Sequence, residues 1–165
     1  LFCEGHELMN NPFFNYLPLS HSSGVIGEYS LDHTFSKEHI IRRKKWCIPT
    51  KNKTYLVGST FVNNDFSVSP TAREQNEIED DLSNWTRSFQ RKKIKKGLRP
   101  IVGDRRPLLG RHHKYSNLFV YNGLGSKGCS LSALFCPMLT EYMINNGSLL
   151  PDVDIKRFKH TDYTA

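Results

Sequence analysis

No apolar run in these 165 residues approaches the roughly 20 that a membrane-spanning helix needs. The first residues, Leu1-Phe2-Cys3-Glu4-Gly5, lack the basic opening of a secretory signal and carry no initiator Met. The chain is therefore expected to be an internal piece of something longer, and cytoplasmic. Cys3, Cys47, Cys129 and Cys136 form no Cys-x-x-Cys pair, which predicts reduced thiols packed as small hydrophobes. No Ser/His/Asp order, pair of acids at a cleft-like spacing, metal motif or P-loop can be picked out, so no catalytic side chain and no metal ligand is assigned. The pair His112-His113 reads as a polar loop. No GxGxxG follows an N-terminal strand, so the chain lacks the usual grip on a dinucleotide pyrophosphate. Any enzymatic role must borrow a cofactor held mostly elsewhere.

What is present is an ordinary globular composition, 38% hydrophobic and 24% charged, long enough for one sizeable core or two small ones. The net charge of +7 is concentrated in Arg42-Arg43-Lys44-Lys45 and in Arg91-Lys92-Lys93 with Lys95-Lys96. Such runs can be nucleic-acid footprints. Here they are expected as solvated faces, because Ile94 interrupts the second run as an inward strand residue would.

Local patterns predict an α+β chain. Leu1-Phe2-Cys3 reads as the end of a buried strand, and 24–31 and 38–48 read as strands around a turn at Asp32-His33. Lys51-Asn52-Lys53 turns the chain into a further strand over 54–60, which completes an antiparallel meander. Thr71 with Glu74 forms a capping box, and Ile78, Leu82 and Trp85 line one apolar stripe of the helix that follows. Strands are predicted over 91–102 and 118–121. A last helix runs from near Gly128 to about Asn145, with Pro137 inside it and Gly147 as its stop signal. The tail beyond Pro151 is polar, with Phe158 as its anchor.

The most informative order of residues lies in the last third. Gly97-Leu98-Arg99-Pro100 is followed by Asp104 and Pro107-Leu108-Leu109-Gly110, then by the strand Leu118-Phe119-Val120-Tyr121. That strand leads into Asn122-Gly123-Leu124-Gly125-Ser126-Lys127-Gly128 and a helix start. Glycines let backbone approach a ligand closely, and helix-start N–H groups face it with a favourable dipole.

Taken whole, this stretch resembles the C-terminal signature of the FAD-dependent D-amino acid oxidase superfamily, on the side of glycine oxidases and amino acid dehydrogenases. Trp46-Cys47-Ile48-Pro49 and Leu56-Val57-Gly58-Ser59-Thr60 are similar to that family's paired strands. The resemblance implies the end of an FAD-domain strand over 1–8, an inserted antiparallel substrate domain over 9–96 and a returning FAD-domain segment over 97–165. It also implies FAD in the full-length parent, weakly held or absent in this piece, with the N-terminal FAD-binding half missing. The substrate would be a small amino acid or amine oxidised at its C–N bond, and this piece alone would be inactive.

Roles carry over by position. Arg99 matches the arginine that holds the substrate carboxylate, and a guanidinium fork suits that task. Read without the resemblance, Arg99 is one more cation in a basic stretch. Gly125, Ser126, Lys127, Gly128 and Cys129 match the loop whose N–H groups face the flavin pyrimidine edge, although the Lys127 side chain could equally point to solvent. Trp46 aligns with an aromatic of the substrate pocket and reads equally well as a core tryptophan. Leu124 stands where the family often has a polar residue, and Ala133 where it usually has proline. Two rivals stand beside this reading: a tRNA-modifying oxidoreductase of the same superfamily that uses the basic runs, and a non-catalytic basic binding module.

Overall fold

Where apolar residues alternate they make sheets here, and where they recur every third or fourth residue they make helices. The computed structural model describes residues 1–32 and 38–158. Its elements follow in the order β1 (Leu19–Leu31), β2 (Ile41–Arg42), β3 (Trp46–Pro49), β4 (Tyr55–Gly58), β5 (Val62–Asn63), α1 (Ala72–Ser83), β6 (Phe89–Val102), β7 (Leu108–Arg111), β8 (Phe119–Asn122) and α2 (Gly128–Asn145). The architecture is α+β. Two compact units divide the chain: Ser22–Leu98, and Leu1–His21 with Arg99–Ala165.

In the unit of residues 22–98, neighbouring strands run β2-β3-β4-β1, with β5 and β6 also paired to β1. Register places Cys47 beside Val57 and Trp46 beside Gly58, which in turn sits beside Ile26. One face carries Val25, Tyr29, Cys47, Tyr55 and Val57 against Ile78 and Leu82 of α1. The predicted capping box is present, with the Thr71 hydroxyl accepting from the Glu74 N–H and the Glu74 carboxylate accepting from Thr71. The helix stops at Ser83, so Trp85 reaches the same core from just beyond its end. The strand expected over 38–48 is two short ones, because the cations Arg43 and Lys44 occupy a turn closed by the Arg43 N–H donating to the Lys45 carbonyl. The His33 half of the expected Asp32-His33 turn lies outside the described residues.

The basic runs are solvated only in part. The Lys96 side chain is 0% exposed, and its Nζ lies 2.6 Å from Asp65 Oδ2 and 2.8 Å from Glu74 Oε2. It also donates to Ser67 Oγ, while Ser23 Oγ donates to Asp65. One ammonium thus ties β1, the 65–67 segment, the start of α1 and β6 together. Burial works to lower the Lys96 pKa, but the bonds to Asp65 and Glu74 outweigh it and raise the value. For Glu74, burial works to raise it, and the bonds from Lys96 and Thr71 turn the net shift downward. The bond from Lys96 leads in lowering Asp65. Lys45 is similarly sequestered, bonded to the Ser59 carbonyl and to Glu77. Among the described residues β6 pairs only with β1, so its exposed Lys92, Lys93 and Lys95 guard a sheet edge against further strand pairing.

The other unit is built on β7 and β8, an antiparallel pair with Leu109 beside Tyr121. The strand β7 was not expected from sequence. Phe2 runs parallel to β8 on one side, and Asp154 runs parallel to β7 on the other. Alternation splits the burial between two faces. Leu108 and Val120 meet Leu8, Phe14, Leu17, Leu19, Val102 and Ile155, while Leu109, Phe119 and Tyr121 meet Phe135, Leu139 and Tyr142 of α2. By packing, the residues up to His21 therefore belong with the C-terminal segment.

Four local expectations are corrected here. His112 is buried at 6% exposure rather than in a polar loop, stacked on His113 with Phe14 against its ring. Its Nδ1 accepts the N–H groups of Lys114 and Tyr115. The tail beyond Pro151 buries Val153 and Ile155 besides anchoring Phe158. The left-handed residue that ends α2 is Asn146 (φ 52°), not Gly147. Of the four thiols only Cys47 packs inside, where burial pushes it up to about 11; Cys3, Cys129 and Cys136 are exposed.

Two predictions follow from the buried ammonium. Lys96→Ala strands two carboxylates and lowers stability by about 2–3 kcal/mol, read from urea unfolding by tryptophan fluorescence, since Trp46 and Trp85 both lie in this unit. Glu74 is held below its ordinary 4.5, so its contribution is complete above that pH and is lost as acid titrates the folded carboxyl. Acid unfolding of the wild type should steepen below that pH, and Glu74→Gln should flatten this limb.

Candidate functional site

Parallel strands end together. Because Phe2 pairs in parallel with β8, the turn at Gly5 and the turn after Asn122 emerge at the same end of their strands. Open sheets characteristically take ligands outside such carboxyl ends.

The turn after β8 is shaped by glycine. Gly123 has φ +71° and Gly125 has φ +56°, a region other residues enter only with strain. A Cβ on Gly123 would sit 2.7 Å from Val102 Cγ2, so the turn is also closed to a side chain there. A Cβ on Gly125 would lie 3.6 Å from Ile101 Cγ2 and 3.9 Å from the Pro100 carbonyl. The turn therefore runs beside the stretch of β6 that directly follows Arg99.

A 3-10 turn (Gly125–Lys127) leads into α2, and neither helix start has a side-chain cap. Ser130 and Ser132 sit in the first turns of α2, but their hydroxyls donate to the Lys127 and Gly128 carbonyls and leave the helix-start N–H groups alone. An uncapped helix start keeps donors and a positive dipole end available to an electronegative group. Ser126, Lys127 and Cys129 are exposed, and Gly128 is half-buried. Arg99 is half-buried, and burial lowers its guanidinium pKa from 12.5. Pro100 gives this part of β6 no N–H to donate. Trp46 belongs to the other unit. It is half-buried on the sheet face opposite α1 and takes no part in the core that α1 covers.

Two features escaped the sequence reading. Gly123, Gly125 and Gly128 have the G-x-G-x-x-G spacing, between a strand and a helix. The βαβ context is nevertheless wrong. The segment after α2 pairs in parallel with β7, which itself runs antiparallel to β8. The residues thus fit the electronegative edge of a flavin, while the unit that would grip the pyrophosphate of FAD has no counterpart among the described residues. The second feature is Asn122, buried at 3% exposure, whose side chain joins both turns. Its Nδ2 donates to the Gly5 carbonyl at 2.9 Å, and its Oδ1 accepts the Gly123 N–H at 2.7 Å. In the sequence, an asparagine before glycine signals only a turn.

Among the described residues no group of three or more His, Cys, Asp or Glu could hold a metal ion, and no helix is long and apolar enough to cross a membrane.

Known structures share this fold. Iminodiacetate oxidase from Chelativorans sp. BNC1 superposes with a TM-score of 0.78 at 20% identity, over 90% of this chain and 43% of its own. Glycine oxidase from Bacillus cereus gives 0.74 at 16% identity, over 88% and 42%. L-proline dehydrogenase from P. horikoshii gives 0.66 at 13%, over 82% and 38%. The chain thus spans about two-fifths of the length of these proteins. A model of the FAD dependent oxidoreductase family DAO matches residues 10–142, most of the sequence. With the glycine turn and the sheet topology agreeing, this chain belongs to the DAO family of FAD-dependent oxidoreductases.

Proposed function

We propose that this chain is the substrate-domain and C-terminal FAD-domain portion of an enzyme that oxidises the C–N bond of an amino acid or amine. The observation that carries the reading is the uncapped glycine turn lying beside the segment that follows Arg99. FAD, when bound, would supply the two-electron acceptor for the hydride that leaves the substrate carbon. The contributions of this chain are positional and electrostatic.

Arg99 holds the substrate carboxylate through two parallel N–H donors, which sets the orientation of the α-carbon. Its charge persists at working pH, because a delocalised guanidinium stays protonated in proteins. The turn from Gly125 to Cys129, whose Lys127 N–H is already given to the Leu124 carbonyl, offers its other N–H groups and the Lys127 cation to the developing negative charge without reorganising. No side-chain base is assigned.

Arg99→Ala in the full-length protein is expected to raise KM for the amino acid about 100-fold, the loss of a bidentate charge-assisted pair. The change in kcat should be smaller, and Arg99→Lys should recover part of the loss. Oxidation of a substrate amine lacking a carboxylate should be unaffected. Steady-state kinetics on both substrates checks this. Equal losses on the two substrates would remove Arg99 from carboxylate binding.

A further inference from the structure

Asn122 is a buried amide that no part of the mechanism above uses. It lies at the last residue of β8, where the chain leaves the sheet for the glycine turn. Both ends of its side chain are committed: Nδ2 to the carbonyl of Gly5, and Oδ1 to the N–H of Gly123. Gly5 itself has φ +61°, so the amide joins two left-handed glycine turns on neighbouring parallel strands. A core filler would need no polar atoms, and a turn residue would bond only its own backbone. Asn122 instead bridges positions 117 residues apart in the chain.

We infer that Asn122 is a positioning residue that sets the glycine turn, and with it the start of α2, against the flavin edge. The inference rests on the flavin reading above. The steric fit of Gly123 makes the argument sharper. A side chain at position 123 would collide with Val102 and crowd Leu108, so this peptide is built for glycine alone. The bond from its N–H to Asn122 Oδ1 fixes the first peptide of the turn. The bond to the Gly5 carbonyl then references that peptide to the adjacent strand end. If either bond is lost, the N–H donors move relative to whatever occupies the strand ends. Hydrogen-bond geometry weakens steeply with misalignment.

The test uses the full-length FAD-loaded protein with Asn122→Ala, which removes both bonds, and Asn122→Asp, which keeps the acceptor for Gly123 but replaces the donor to Gly5. Asn122→Ser serves if the alanine variant fails to fold, and Asn145→Ala, on the exposed end of α2, is the control. The alanine and aspartate variants are expected to bind FAD about tenfold or more weakly and to shift the flavin midpoint potential to more negative values. A merely structural asparagine would lower the melting temperature and leave the potential of the bound flavin alone. Amide exchange at Gly123, measured without flavin, should accelerate in the same variants. A wild-type protein that holds no flavin overturns the functional reading, and faster Gly123 exchange then still reports the bridge. A flavin-loaded wild type whose affinity and potential are unchanged by the folded variants overturns the role of Asn122.

Discussion

Two backbone hydrogen bonds at Phe2 decide which turns of this chain share one end of the sheet. The Phe2 N–H donates to the Phe119 carbonyl at 2.8 Å, and the Tyr121 N–H donates to the Phe2 carbonyl at 2.9 Å. They make residue 2 a parallel neighbour of β8, so the turns at Gly5 and Gly123 leave the sheet at one end. An antiparallel pairing would have put them at opposite ends, with the glycine turn alone. The Asn122 amide bridge to Gly5 follows from that shared end.

The unit of residues 22–98 obeys a different constraint. Its sheet is covered by α1 on one face, and the helix is held by its own capping box and by a buried ammonium that draws in Asp65 and Glu74. Beside the apolar contacts of Ile78 and Leu82, directional bonds to Lys96 define where its first turn meets β6. The opposite face keeps Trp46, Gly58 and Ile26 in one row.

Local signals were legible in the sequence and distant ones were not. The capping box at Thr71 and Glu74, the turn at residues 51–53 and the strand leading to the glycine turn were all readable, because each is decided within a few residues. Lys96 was not, since a buried lysine and a solvated one have the same letter, and its carboxylate partners are 31 and 22 residues away. His112 was misjudged for the same reason. Its burial depends on Phe14, nearly a hundred residues earlier. The parallel pairing of Phe2 is equally invisible, so the resemblance, and not periodicity, pointed to the site. The glycine turn was readable as a motif, but the amide that braces it was hidden inside ordinary turn chemistry.

The central claim is that these strand ends serve a flavin, and the visible absorption spectrum of the purified full-length protein tests it most directly. The account predicts a yellow protein whose flavin band bleaches, without oxygen, on addition of one amino acid or amine. A folded, colourless protein that takes up no added FAD would contradict it.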